Sequence, residues 1–128
     1  MVATPAVATA AYTYQLSGVV YSNTDWFYSA NARYKNGTGS VSVNMWDAPE
    51  GCSSSNTGVG NGSNASIGFK VTNLGSTTAI GSTVTLTQST SWKTLVTSMA
   101  DGKSFRTAFH RLSLCRNADH TFDVQMSY

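Results

Sequence analysis

The sequence predicts an all-β protein: an antiparallel β-sandwich of about seven or eight short strands, jelly-roll or immunoglobulin-like, with a closed barrel as the alternative. Three observations predict it. Apolar and polar residues alternate with period two in segment after segment, as strands with one buried face require. Gly, Asn, Asp and Ser punctuate those segments at short intervals, and these residues make turns. Helix formers are scarce, while Thr, Val and aromatic residues, which fit a pleated surface, are plentiful. Gly lies mainly in the connecting segments instead of recurring at strand corners, which favours the sandwich over the barrel.

The 128 residues suit one domain with one core. Hydrophobic residues make up 41% and charged residues only 11%, against roughly 25% charged in an average soluble protein. Solubility therefore rests on Ser, Thr, Asn and Gly. Five Phe, six Tyr and three Trp argue against disorder. The net charge of +2 arises from scattered residues with no basic stripe, so nucleic acid is not an expected partner. No apolar run approaches the length of a membrane-spanning helix.

Residues 1–11 form the first segment, predicted as a flexible N-terminal arm, and residues 12–128 form the single β-domain. The arm has no large side chain to anchor it. Its Ala8-Thr9-Ala10 fits the small-residue end of an export signal, although no charged or long apolar region precedes it. From Tyr12 a first strand alternates Tyr14, Leu16, Gly18 and Val20 with Thr13, Gln15 and Ser17. After Ser22-Asn23-Thr24-Asp25, a second strand sets Trp26, Tyr28, Ala30, Ala32 and Tyr34 against Phe27, Ser29, Asn31, Arg33 and Lys35. Asn36-Gly37 is a favoured hairpin pair, leading into a third strand with Val41, Val43 and Met45 on one face.

Ala48 to Ser66 is a long loop rich in Gly, Ser and Asn, tied at Cys52. Strands four and five follow at Ile67–Val71 and Thr83–Gln88. Trp92, Leu95, Val96 and Met99 have the spacing of an amphipathic helix, yet they run into Asp101-Gly102, a second hairpin signal, and the strand reading is preferred. Phe105, Thr107 and Phe109 then alternate, and Phe122, Val124, Met126 and Tyr128 make the final strand.

Cys52 and Cys115 are the two cysteines. In an exported composition they are expected to pair as one disulfide, adding about 4 kcal/mol through loop closure; buried free thiols are the alternative. No catalytic set is expected. Cys115, His110, Asp119 and His120 lie close in sequence, but an oxidised sulfur cannot act as a nucleophile. The two histidines lack paired metal-ligand spacing, so neither a metal nor another cofactor is predicted. Asp25, Asp47, Glu50, Asp101, Asp119 and Asp123 offer carboxylates for glycoside hydrolysis, but turn and loop roles account for several of them. Asn36, Asn61 and Asn64 open Asn-x-Ser/Thr triplets, glycan acceptors only in a eukaryotic secretory pathway. Trp26, Tyr28 and Tyr34, with Trp46 nearby, are expected in the core; the other reading is a platform for sugar rings.

Trp92-Lys93-Thr94-Leu95, Asp101-Gly102-Lys103-Ser104-Phe105-Arg106, Phe109 and Cys115 together resemble small secreted β-proteins of actinobacteria, over about a third of the chain. Within that group the pattern is similar to the adaptor subunit of secreted umbrella toxin particles. The resemblance implies an extracellular assembly role without catalysis, joining a stalk polypeptide to a lectin subunit.

The expected function is thus a secreted, non-enzymatic protein–protein interaction module whose partners are other secreted proteins of a hetero-oligomeric assembly. The partner-binding residues are predicted to be Val2, Ala3, Thr4, Ala6, Val7, Ala8, Thr9, Ala10 and Ala11, together with the loops. A carbohydrate-binding module and a secreted inhibitor or effector, inserting the Cys52 loop into a target, are the alternatives. The cysteine reading has a direct check: the non-reduced protein should weigh two hydrogens less than the reduced one, and both thiols should resist labelling under non-reducing denaturation. Full labelling of both would show free thiols.

Overall fold

The computed structural model describes residues 13–20, 25–47, 66–87, 91–113 and 120–128. Regular structure among them is entirely β: β1 (Thr13–Val20), β2 (Phe27–Tyr28), β3 (Arg33–Tyr34), β4 (Gly39–Asp47), β5 (Ser66–Thr72), β6 (Val84–Leu86), β7 (Lys93–Met99), β8 (Ser104–Ser113) and β9 (His120–Ser127). They form two antiparallel sheets. The first has the order β1-β9-β4-β7, and the second β2-β8-β5-β6, with β3 also paired to β8. No ladder joins the two sheets among the described residues, so the barrel alternative is set aside. The arm, the segment 48–65 and both cysteines lie outside the described residues.

The alternation read from the sequence decides which side of each strand faces inward. Val41, Val43 and Met45 of β4 and Phe122, Val124 and Met126 of β9 meet Ile67, Phe69 and Val71 of β5 and Phe105 and Phe109 of β8 in one buried cluster. Phe109 stands edge-on to Phe122 at 4.8 Å between ring centroids, joining the sheets at mid-core. Along one side the sandwich is bridged where Ser82 N–H donates to Leu95 O at 2.8 Å. The opposite side, between β1 of the first sheet and β2 and β3 of the second, carries the site described below.

β7 is a strand, and its bulges explain why it resembles a helix in sequence. Val41 pairs with Val96 but Ser42 with Thr94, and Gly39 with Met99, so β7 has extra residues relative to β4. Those bulges turn the consecutive Leu95 and Val96 both inward, and the buried set Leu95, Val96 and Met99 acquires helix-like spacing.

The expected second strand is two short ones. Tyr28 pairs with Ala108 and Arg33 with Phe105, so four residues, 29–32, face two on β8 and must loop out. The segment stays in place because Ser29 N–H donates to Thr107 O at 2.9 Å.

Both predicted hairpin turns have another task. Asn36-Gly37 carries the chain from β3 in the second sheet to β4 in the first, and Asp101-Gly102 carries it from β7 in the first to β8 in the second. Neither closes a hairpin. The two crossings hold one another: Lys35 N–H donates to Lys103 O at 2.9 Å and Gly102 N–H to Lys35 O at 2.8 Å. Gly37 N–H donates to the Asp101 carboxylate at 2.8 Å. Lys35, only 3% exposed, donates its ammonium to the carbonyls of Asn36 and Gly37 at 3.0 and 2.8 Å. Both glycines are left-handed, with φ of 71° and 74°. The turn chemistry was legible in sequence; its inter-sheet use was not.

A side chain on Gly102 meets nothing within 4 Å, so its cost is conformational alone. Gly102→Val should destabilise by about 1–2 kcal/mol and Gly102→Asn by clearly less, since Asn tolerates the left-handed region. Chemical denaturation of both variants checks this; equal losses would place the cost elsewhere.

Candidate functional site

Trp26, Tyr28 and Tyr34, expected in the core, do not enter it. They divide between two places on the surface, while Phe27 packs against the core ring of Phe109 at 5.2 Å between centroids. On the outer face of the second sheet, Trp26 lies on the His110 ring at 3.9 Å between centroids and 18° between planes. His110 in turn lies over Gly68, where an added Cβ would collide with its ring. Gly68 and His110 are register partners on β5 and β8, and the missing side chain leaves room for the imidazole. Lys70 Nζ then sits 4.2 Å from the Trp26 ring centroid and 5.3 Å from that of Tyr28, and Arg106 Cζ sits 4.5 Å from Tyr28.

The loop after β5 engages both cations. Lys70 donates to Thr77 O and Arg106 to Ser76 O, each at 2.7 Å. Every residue of β5 from Ile67 onward is consequently buried, on both faces. Lys70 is buried, and its burial is tolerated because its charge is shared between two rings and a carbonyl. This layer is a structural lid in which rings and cations satisfy one another.

Tyr34 is separate. It is 62% exposed and lines an open pocket of about 420 Å³ with Tyr14, Asn31, Ala32, Arg33 and Tyr128. Local structure dictates the convergence. Tyr14 pairs with Met126 on β9, which makes Tyr128 its diagonal cross-strand neighbour, within reach of a ring. The two rings stack at 4.4 Å and 15°. Tyr128 is 4% exposed and stands edge-on to Phe105 of the second sheet at 5.1 Å. Arg33, the register partner of Phe105, donates from Nη1 to the Tyr128 hydroxyl at 2.7 Å. The looping out of residues 29–32 brings Asn31 and Ala32 to the rim.

Arg33 Nε is buried with no hydrogen-bond partner, and among the described residues no acidic side chain lines the pocket. The arrangement offers flat rings, a positioned guanidinium and an amide: equipment for binding. Tyr14, Asn31, Arg33 and Tyr128 were not singled out by sequence reasoning. Their meeting depends on β1 pairing with β9 and β3 with β8, and no local pattern encodes those pairings.

Other sequence candidates are dispersed. Trp46 and Trp92 are exposed and do not line the Tyr34 pocket. Asp101 holds the crossing turns. His110 belongs to the Trp26 stack, while Cys115, Asp119, Glu50 and the arm residues Val2 to Ala11 lie outside the described residues. Among the described residues no group of three or more His, Cys, Asp or Glu is placed to hold a metal ion, and no helix is long and apolar enough to cross a membrane.

Compared with known proteins, the chain matches no family model, no curated protein and no solved structure.

The outer layer makes a testable demand on Gly68. Gly68→Ala should displace His110 and lower stability by about 1–3 kcal/mol, the usual cost of overpacking. In the unmodified protein the His110 ring protons should resonate upfield in the shielding cone of Trp26. That displacement should vanish in Gly68→Ala and in Trp26→Leu; its persistence in both would refute the stack.

Proposed function

We propose that the chain is a secreted, disulfide-stapled, non-enzymatic protein–protein interaction module: an adaptor subunit of an extracellular toxin assembly, joining other polypeptides through its N-terminal arm, Val2 to Ala11, and its loops. One observation carries the reading. β1 is the terminal strand of the first sheet, paired with β9 on one side only among the described residues, and the arm leads into it in sequence. An edge strand continued by small, β-compatible residues suits strand addition, in which backbone hydrogen bonds supply affinity and small side chains fit a narrow groove. The resemblance to umbrella toxin adaptors points the same way. The Cys52–Cys115 bridge is part of the proposal because the domain is small and the composition is that of exported proteins.

Carbohydrate binding is the second reading. It is favoured by a specific feature, the exposed Tyr34 ring beside Tyr14 in an open pocket. An inhibitor role would rest on the Cys52 loop, which lies outside the described residues.

Deleting residues up to Ala10 tests the first reading. The melting temperature should barely move, while capture of partner polypeptides from the native secretome should fall at least about tenfold, equivalent to about 1.4 kcal/mol. Full capture by the truncated protein would reject the arm as the binding element.

A further inference from the structure

The pocket at the open side of the sandwich has a ligand chemistry of its own. Its walls are the rings of Tyr14, Tyr34 and Tyr128, and its polar groups are Arg33 and Asn31. A ligand that satisfies both must be flat and apolar on one face and rich in acceptors at its edge. A pyranose ring has that form: its axial C–H groups pack on aromatic faces while its hydroxyls hydrogen-bond in the ring plane. The volume of about 420 Å³ lies in the small part of the roughly 300–1,000 Å³ range of ligand pockets, suited to about one or two sugar rings.

Arg33 narrows the class further. Among the described residues it is the one charged side chain lining the pocket. Its Nη1 donates to the Tyr128 hydroxyl at 2.7 Å, which fixes the plane of the guanidinium. A guanidinium positioned in this way, with no acidic side chain lining the pocket among the described residues, suits a ligand carboxylate through a charge-assisted hydrogen bond. By contrast, the cations of the Trp26 layer are engaged by the carbonyls of Ser76 and Thr77.

We propose that this pocket binds an anionic saccharide, a hexuronate whose ring lies on Tyr34 and Tyr14 and whose carboxylate pairs with Arg33. The proposal rests on the carbohydrate-binding reading and adds the sugar class and the residue that selects it. It is independent of the arm, which leaves a single chain able to hold a polypeptide at one place and an acidic glycan at another. An acidic peptide shares the carboxylate but lacks the flat apolar face that the tyrosines offer.

Titration calorimetry and amide-resolved NMR of the full chain with digalacturonate, with its neutral digalactoside counterpart and with a short Asp-rich peptide test it. Digalacturonate should bind saturably and at least about tenfold more tightly than the neutral disaccharide, with shifts at Tyr14, Asn31 and Tyr34. Tyr34→Ala should weaken the binding of the acidic disaccharide about tenfold or more at unchanged melting temperature. Arg33→Gln should abolish the preference for the acidic sugar. Because that variant also loses the bond to Tyr128, the unmodified protein supplies a second readout: in about 1 M salt, where screening is nearly complete beyond contact distance, the preference should shrink while neutral-sugar binding persists.

Equal affinity for the two disaccharides would overturn the anionic assignment and leave the carbohydrate reading standing. Tighter binding of the peptide, or digalacturonate binding indifferent to Tyr34→Ala, would overturn the proposal at this pocket. Silence with both sugars would reject the carbohydrate reading together with it.

Discussion

The structure depends on the mutual grip of two turns. At one end of the sandwich the chain passes between sheets twice, at Asn36-Gly37 and at Asp101-Gly102, and the crossings exchange backbone hydrogen bonds through Lys35. A buried lysine ammonium is costly unless its protons are satisfied. Here two carbonyls of its own turn receive them. That capped charge, with the Asp101 carboxylate bonded to Gly37 N–H, holds the corner where β3 enters β4 and β7 enters β8. Arg33 and Tyr34 directly precede Lys35, so the same corner sets their position.

The second sheet shows how aromatic residues can be numerous without belonging to the core. Its inner face supplies Phe69, Phe105 and Phe109 to the buried cluster. Its outer face is covered by Trp26 and Tyr28, interleaved with His110, Lys70 and Arg106. Gly68 is the condition for this cover, because any side chain there would take the place of His110. Burial on both faces encloses β5 from Ile67 onward, and it leaves the rings of Trp26 and Tyr28 committed to the protein's own cations.

Tyr34 escapes that commitment because the chain loops out at residues 29–32. Beyond the loop, β3 rejoins β8 two residues out of step with β2, beside the terminal strand of the other sheet. The convergence of Tyr14 and Tyr128 from the first sheet with Arg33 and Tyr34 from the second gives the sandwich a polar-aromatic pocket at its open side. The strand edge at β1 and this pocket are neighbouring but chemically different surfaces: backbone donors and acceptors in one, rings and a guanidinium in the other. Under the binding roles proposed for them, each calls for a different class of ligand.

The amino-acid pattern alone determined the all-β class, the inward faces of β4, β5 and β9, and the glycine turns at Gly37 and Gly102, because alternation and left-handed backbone are properties of a few consecutive residues. It also separated strand from helix at Trp92–Met99 only narrowly, since the bulges of β7 copy helical spacing. Which strands pair, which turns cross between sheets, and whether Tyr34 is core or surface were decided by tertiary structure. A ring on an alternating strand has the same local signature whether it faces a second sheet, a stacked histidine or solvent, and only the register of distant strands, Tyr14 against Met126 and Arg33 against Phe105, distinguishes the three.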